Sequence, residues 1–278
     1  MSKAKSLNKF AVKEVTSVKA RFTLKGKKAI VTGAKGGIGK ATATAFAELG
    51  ADVAIVDLPS AASECDAVAH SLEQRFGVKS VGIGADLCQE SQVRMMGRRV
   101  VEAFGTIDVV HSNAGIFALG DNPQMPVSEF RRIVDVNLLG MFLVNRECAD
   151  IMVAHKHGGS IINTVSMSGS IVNPTRTETD YMVAYTASKG GAKHLTKAMA
   201  VNYIRHGIRI NSVSPGYLIS GAHDGMSQTD VEWWANSVPI KRFGDMDEIV
   251  GIVCLLATEL STYFVGSDII MDGGATIT

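Results

Sequence analysis

The residues that most constrain the fold are an apolar run, Ala29-Ile30-Val31-Thr32, and the turn it enters directly, Gly33-Ala34-Lys35-Gly36-Gly37-Ile38-Gly39. The stretch that follows, Ile38–Leu49, has apolar residues at helical spacing. Glycines at such a strand-to-helix corner permit the tight turn, let backbone approach a pyrophosphate and let the helix sit close on the strand. The amides at the helix start then face anionic phosphates. A P-loop nearly fits the same residues and fails. Ala34 stands where the leading glycine of that motif belongs, and Ala41 follows Gly39-Lys40 where a magnesium-holding Ser or Thr is needed. The turn therefore points to a dinucleotide and away from a kinase or NTPase.

Beyond this corner, strands and amphipathic stretches alternate. Strands are expected at Lys27–Thr32, Asp52–Val56, Val78–Gly84, Ile107–His111, Ser160–Thr164, Ile208–Val213 and Asp268–Met271. Helices are expected at Ile38–Leu49, Ala61–Phe76, Gln89–Phe104, Val127–His155, from near Tyr185 to Arg205, and at Asp245–Ala257. Such alternation implies an α/β fold, a doubly wound parallel sheet with helices on both faces through right-handed crossovers. At 278 residues, with no internal repeat or linker, residues 25–278 read as a single domain. The four cysteines are widely separated and no histidine lies at ligand spacing, so neither a disulfide nor a metal site is expected. A net charge of +1 gives no signal for nucleic acid, and no apolar run is long enough for a membrane span. A cytoplasmic location is the expectation. Residues 1–24 form a basic arm with six Lys or Arg against Glu14 alone. That arm is either solvated or docked through Phe10, Val12, Val15, Val18 and Phe22 on the body or on a sister subunit.

Two further features carry chemistry. Tyr185 and Lys189 in Tyr185-Thr186-Ala187-Ser188-Lys189 are four apart, which places both on one helix face. A neighbouring ammonium favours the phenolate and so predicts a phenol acidic enough to carry a proton near neutrality. Asp57 ends the second strand, about 18 residues beyond Gly39, where a carboxylate accepts from ribose hydroxyls and repels a 2′-phosphate. It predicts NAD(H) over NADP(H), with Lys35 and Lys40 the nearby cations.

Over residues 24–275 the chain resembles the classical short-chain dehydrogenases/reductases. Thr32-Gly33-x-x-x-Gly37-Ile38-Gly39 is similar to the family's glycine motif, and Asp86-Leu87 to its adenine-side acid. Ser112-Asn113-Ala114-Gly115 resembles its Asn-Asn-Ala-Gly, departing at Ser112, and Pro215-Gly216 resembles its nicotinamide-side turn. The resemblance implies a Rossmann sheet of seven parallel strands and a homodimer or homotetramer closed through long helices and the C-terminal strand. It implies a catalytic tetrad of Asn137, Ser166, Tyr185 and Lys189. Tyr185 would exchange the proton and Lys189 would lower its pKa and hold the nicotinamide ribose. Ser166 would polarise the substrate oxygen, and Asn137 would position a water reaching Lys189. The implied cofactor contacts are Gly33, Lys35, Gly37, Ile38, Gly39, Asp57, Asp86, Leu87, Asn113, Ala114, Gly115, Tyr185, Lys189, Pro215, Gly216 and Leu218. Tyr181 and Ser168 are the decoys for Tyr185 and Ser166.

The expected reaction interconverts a secondary alcohol and a ketone with NAD. Two substrate classes remain open. Ser166-Met167-Ser168-Gly169 and Ser214-Pro215-Gly216-Tyr217 resemble the sugar-alcohol branch, with Asn173, Arg176, Glu178, His223 and Asp224 as polar partners. A long Gly169–Ala184 segment and a Tyr217–Ile240 segment carrying Met226, Trp233, Trp234 and Val238 instead suit a hydroxysteroid. A catalytically silent dinucleotide sensor or scaffold on the same fold is the remaining alternative, and it would be expected to lose Tyr185 or Lys189.

Overall fold

The computed structural model describes residues 16–117, 123–175, 182–219 and 227–278. A short helix α1 (Val18–Arg21) precedes β1 (Lys28–Thr32), α2 (Gly37–Glu48), β2 (Asp52–Asp57), α3 (Ala62–Phe76) and β3 (Ser80–Gly84). Then come α4 (Glu90–Phe104), β4 (Val109–Ser112), α5 (Val127–Val134), α6 (Met141–His155) and β5 (Gly159–Thr164). The chain closes with α7 (Val183–Tyr203), β6 (Ile208–Pro215), α8 (Gln228–Asn236), α9 (Met246–Ala257) and β7 (Asp268–Met271). All seven strands pair in parallel in the order β3-β2-β1-β4-β5-β6-β7. The strand order reverses at β1, which is flanked by β2 and β4, and this topological switch opens a crevice at the strands' carboxyl ends.

Two apolar layers explain why the strands read as continuous hydrophobic runs. Ala29, Val31, Val53, Ile55, Val109 and Ile162 point to one face, under α2, α3 and α9. The alternating Ile30, Ala54, Val56, Val110, Ile161 and Ile210 point to the other, under α4, α6 and α7. Both faces of the inner strands β1, β2, β4, β5 and β6 are buried, as a parallel sheet covered by crossovers requires. The sheet is thus the expected seven-stranded Rossmann arrangement, and the strand and helix order follows the sequence-based reading.

Three local features depart from that reading. The expected single helix Val127–His155 is interrupted by a π-helical turn, Asp135–Gly140, which contains Asn137. Helix α8, capped by Ser227 accepting from the Asp230 amide, lies inside the Tyr217–Ile240 segment, where no helix was expected. Its nine residues are too few for a clear periodic signal. Finally, Val18 and Phe22 are not buried on the body, being 59% and 37% exposed. The described end of the arm is tied instead by polar bonds, from the Arg21 guanidinium to the Glu259 carbonyl and from the Leu24 amide to the Leu49 carbonyl. Phe10, Val12 and Val15 lie outside the described residues. Among the described residues no helix is long and apolar enough to cross a membrane, and no cluster of His, Cys, Asp or Glu could hold a metal ion.

Candidate active site

The crevice begins at the glycine turn. Gly33 has φ +65°, and a Cβ there would sit 2.9 Å from the Ala114 Cα, so β1 and β4 can end side by side only with glycine present. A Cβ on Gly39 would collide with the Gly33 carbonyl oxygen, which fixes how closely α2 approaches β1. Gly36, at the N-cap of α2, has no side chain to occupy the helix's first amides. That is the cradle a pyrophosphate needs, and these residues fit a dinucleotide.

Polar bonds then lock the ends of β1, β4 and β5 together. The Thr32 hydroxyl accepts from the amides of Asn113 (3.0 Å) and Ala114 (3.1 Å), while Asn113 Nδ2 donates to the Thr32 carbonyl (3.1 Å). The Thr164 hydroxyl donates to Asn113 Oδ1 at 3.0 Å. Because that proton is committed, His111 Nε2, 2.9 Å from the same hydroxyl, must be the donor. Burial pushes His111 down to about 3, so it is neutral, and its Nδ1 has no partner among the described residues. Sequence reasoning missed His111 and Thr164, and took Thr32 only as the start of the glycine motif. Their side chains are unremarkable alone, and only the strand register brings them together.

The next wall carries the proton-handling groups. Tyr185 lies in the first turn of α7 and Lys189 one turn on, so both face the crevice as the spacing predicts. The Lys189 ammonium is 5.7 Å from the Tyr185 ring centre and donates to the Thr164 carbonyl at 2.9 Å. Phe117 holds the other side of the phenol ring edge-on at 6.2 Å. Ser166, at the end of β5, hydrogen-bonds Tyr185, accepts from the Ser168 amide (3.1 Å) and donates to the Ser168 hydroxyl (3.2 Å). Ser168 is therefore a neighbour that orients Ser166.

The electrostatics differ from the sequence-based expectation. Burial lowers Lys189 to about 8, and burial is also the largest influence on Tyr185, whose pKa is raised despite the opposing bond from Ser166. An ammonium partly neutralised by its own desolvation, bonded to a carbonyl, does not outweigh the cost of a buried phenolate in the free protein.

Asn137 is buried, and its side chain is committed to the backbone. Its Oδ1 accepts from the Ile116 amide and its Nδ2 donates to the Ile116 carbonyl, each at 2.8 Å, and Nδ2 also reaches Ser188 Oγ at 3.0 Å. Asn137 thus pins the β4-side loop to the Tyr185 helix. The π-turn that carries it supplies the extra residue needed to aim it there.

The cavity has a volume of about 310 Å³. It is lined by Gly33, Gly37 and Ile38, by Asn113, Ala114 and Gly115, by Ser166, Tyr185 and Lys189, and by Pro215, Gly216 and Leu218. Gly39, Lys35, Asp57, Asp86 and Leu87 do not line it. Gly39 packs beneath it. The others lie along the edge formed by the ends of β2 and β3, where the Asp57 carboxylate accepts from the amides of Lys35 (3.2 Å) and Leu58 (2.9 Å). Asp86 Oδ1 is turned onto the Cys88 amide at 3.0 Å, a local turn leading into α4. At the opposite end of the cavity, Met167, Met182, Tyr217 and Trp234 supply an apolar wall, with Ser168 and Asn173 set into it. Tyr217 and Trp234 meet edge-on at 4.6 Å. Tyr181, Arg176, Glu178, His223, Asp224 and Met226 lie outside the described residues.

Residues 33–276 match a family model described as enoyl-(acyl carrier protein) reductase, adh_short_C2. The sorbose reductase SOU1 of Candida albicans is 38% identical over 258 residues, 92% of this chain and 89% of that protein. The NADP-dependent mannitol dehydrogenase of Alternaria alternata is 34% identical over 269 residues, 95% of this chain and 97% of that one. Among solved structures, a short-chain type dehydrogenase/reductase from Mycobacterium marinum superposes with a TM-score of 0.88 at 40% identity, covering 94% of this chain and all of that one. The chain belongs to the short-chain dehydrogenase/reductase family, whose members are oxidoreductases acting on alcohol and carbonyl groups.

Proposed function

We propose that the protein interconverts a secondary alcohol and a ketone of the sugar-alcohol/ketose class, using NAD(H). The observation that carries this reading is the meeting of Tyr185, Ser166 and Lys189 at one point of a crevice that begins at a glycine turn. Bound nicotinamide supplies or accepts the hydride. Tyr185 gives its proton to the substrate oxygen in reduction and takes it back in oxidation. Ser166, already bonded to Tyr185, turns its hydroxyl to the same oxygen and stabilises charge that develops there. Lys189 holds positive charge beneath the phenol ring and keeps donors free for a ribose. Asn137 keeps the Ile116 backbone and the Tyr185 helix in register. Homodimer or homotetramer assembly fits the exposed apolar side chains Tyr263, Val265 and Ile270 around β7.

The sugar-alcohol reading is favoured by relatives named for sorbose and mannitol, and by the amide and hydroxyl set into the far wall. NADH oxidation with fructose, sorbose and cortisol tests it. A clear rate with a ketose and none with cortisol is expected, and the reverse pattern would replace the sugar alcohol with a hydroxysteroid.

The choice of NAD(H) rests on Asp57. Its carboxylate ends β2 with two backbone amides on it and, among the described residues, no side-chain cation paired to it. A 2′-phosphate brought there meets like charge, whereas ribose hydroxyls can donate to it. Asp57→Ala is expected to shift the ratio of kcat/KM for NADH over NADPH toward NADPH by about 10- to 100-fold, the span of a lost hydrogen bond to a charged group. An unchanged ratio would remove Asp57 as the discriminator.

A further inference from the structure

The far wall of the crevice is apolar except for one continuous polar chain. Ser166 donates to Ser168 Oγ, Ser168 Oγ donates to Asn173 Oδ1 at 2.6 Å, and Asn173 Nδ2 donates to the Tyr217 hydroxyl at 3.3 Å. Asn173 is 7% exposed, and what remains exposed opens on the cavity beside Met167, Met182 and Trp234. Burying an amide among such side chains is costly unless its bonds are made. An amide has two N–H donors and two carbonyl lone pairs. Two of these four are used among the described residues, which leaves one N–H and one lone pair. The bonds already made hold the group still, since Ser168 fixes one end and Tyr217 the other. Tyr217 is itself braced by Trp234 edge-on and by Phe243 at 5.6 Å.

We infer that Asn173 is the specificity-determining residue of this site, its amide giving one donor and one acceptor to hydroxyl groups on the carbons next to the reacting carbonyl. The inference rests on the sugar-alcohol reading above and goes further in naming the residue that recognises the polyol chain. Two links through Ser168, of 3.2 and 2.6 Å, separate Ser166 Oγ from Asn173 Oδ1, so the amide stands a substrate hydroxyl's reach from Ser166. A rigid, partly satisfied amide discriminates well. A ketone without hydroxyls would leave it unpaired on closing the site, and such a site penalises the analogue rather than merely failing to reward it. The apolar faces of Tyr217 and Trp234 are left to cover the substrate's C–H side.

The test compares the wild type with Asn173→Leu and Asn173→Asp, using fructose, sorbose and the unhydroxylated 2-hexanone, with NADH affinity measured by fluorescence. Asn173→Leu is expected to raise KM for the ketoses about 30-fold with kcat changed less than about threefold, because a contact made equally in ground and transition states acts on KM. It should at the same time reduce 2-hexanone at least as well as the wild type does. Asn173→Asp keeps the acceptor facing Ser168 and loses the N–H donor, so it should raise ketose KM with NADH affinity intact. An unchanged ketose KM in either variant that binds NADH overturns the assignment. So does a fall in kcat shared equally by ketoses and 2-hexanone, which would mark a purely structural role through Ser168. If Asn173→Leu fails to bind NADH, Asn173→Asp decides alone by the same criteria. Failure of the wild type itself on both ketoses would instead strike the sugar-alcohol reading.

Discussion

Tyr185→Phe is expected to lower kcat by about 10³-fold in both directions, within the range that a positioned acid–base group contributes. NADH affinity should stay within about twofold, since a loss confined to the chemical step leaves ground-state binding alone. The expectation follows from what the substitution removes and what it leaves. The ring keeps its edge-on contact with Phe117 at 6.2 Å and its place over the Lys189 ammonium at 5.7 Å. Only the hydroxyl goes, and with it the bond to Ser166 and the proton proposed to pass to the substrate oxygen. Ser166 can still hydrogen-bond that oxygen, but an aliphatic hydroxyl is a far weaker acid than a phenol and does not deliver the proton. Single-turnover hydride transfer, followed by NADH absorbance, would read the loss directly. A variant that turns over at the wild-type rate would mean that the proton passes through another group.

How far the sequence carried this reading depended on whether a feature was local. The glycine turn, the strand alternation and the Tyr185–Lys189 spacing are set by consecutive residues, and the structure has each where the pattern puts it. The strand order reversing at β1 was not among the expectations, since alternation and right-handed crossovers leave open which strands are neighbours. What could not be read was assembled across long separations. The clamp of Thr32, His111, Asn113 and Thr164 joins three strands, and none of the four positions announces it. Asn137 was placed near the site, yet its commitment to Ile116 depends on a π-turn that periodicity does not reveal. Likewise, the sign of the shift on Tyr185 depends on how deeply the phenol and its neighbour are buried, which spacing alone leaves open. Asn173 was one polar residue among several in a long segment. The bonds from Ser168 and to Tyr217 distinguish it.

Lys189→Met is expected to reduce kcat/KM by about 10³-fold and, unlike Tyr185→Phe, to displace the pH profile as well. Burial already raises the Tyr185 pKa, and the ammonium beneath the ring is the positive side chain closest to offset it in the described site. The pair gives up its first proton near 8, from Lys189, so without the lysine only the buried phenol is left to titrate and the rising limb of alcohol oxidation should move to higher pH. Lys189→Arg, which keeps the charge but not the shape, should restore the position of the limb more than the rate. Stability offers an independent reading with a definite sign. Lys189 falls from its ordinary 10.5 to about 8 on folding, so between those values the unfolded chain holds a proton that the folded protein has released. Wherever the unfolded state binds more protons, stability rises with pH. The wild type should therefore gain thermal stability relative to Lys189→Met as pH increases from 8 toward 10, while below 8 the difference should be flat. Below 8 the wild type bears the full cost of a buried ammonium, offset in part by the bond to the Thr164 carbonyl, which the variant leaves unpaired. A Tm difference that stays constant across this range would show that Lys189 is not desolvated in solution. Ser166 would then be the one group of the described site left to oppose the rise that burial imposes on Tyr185.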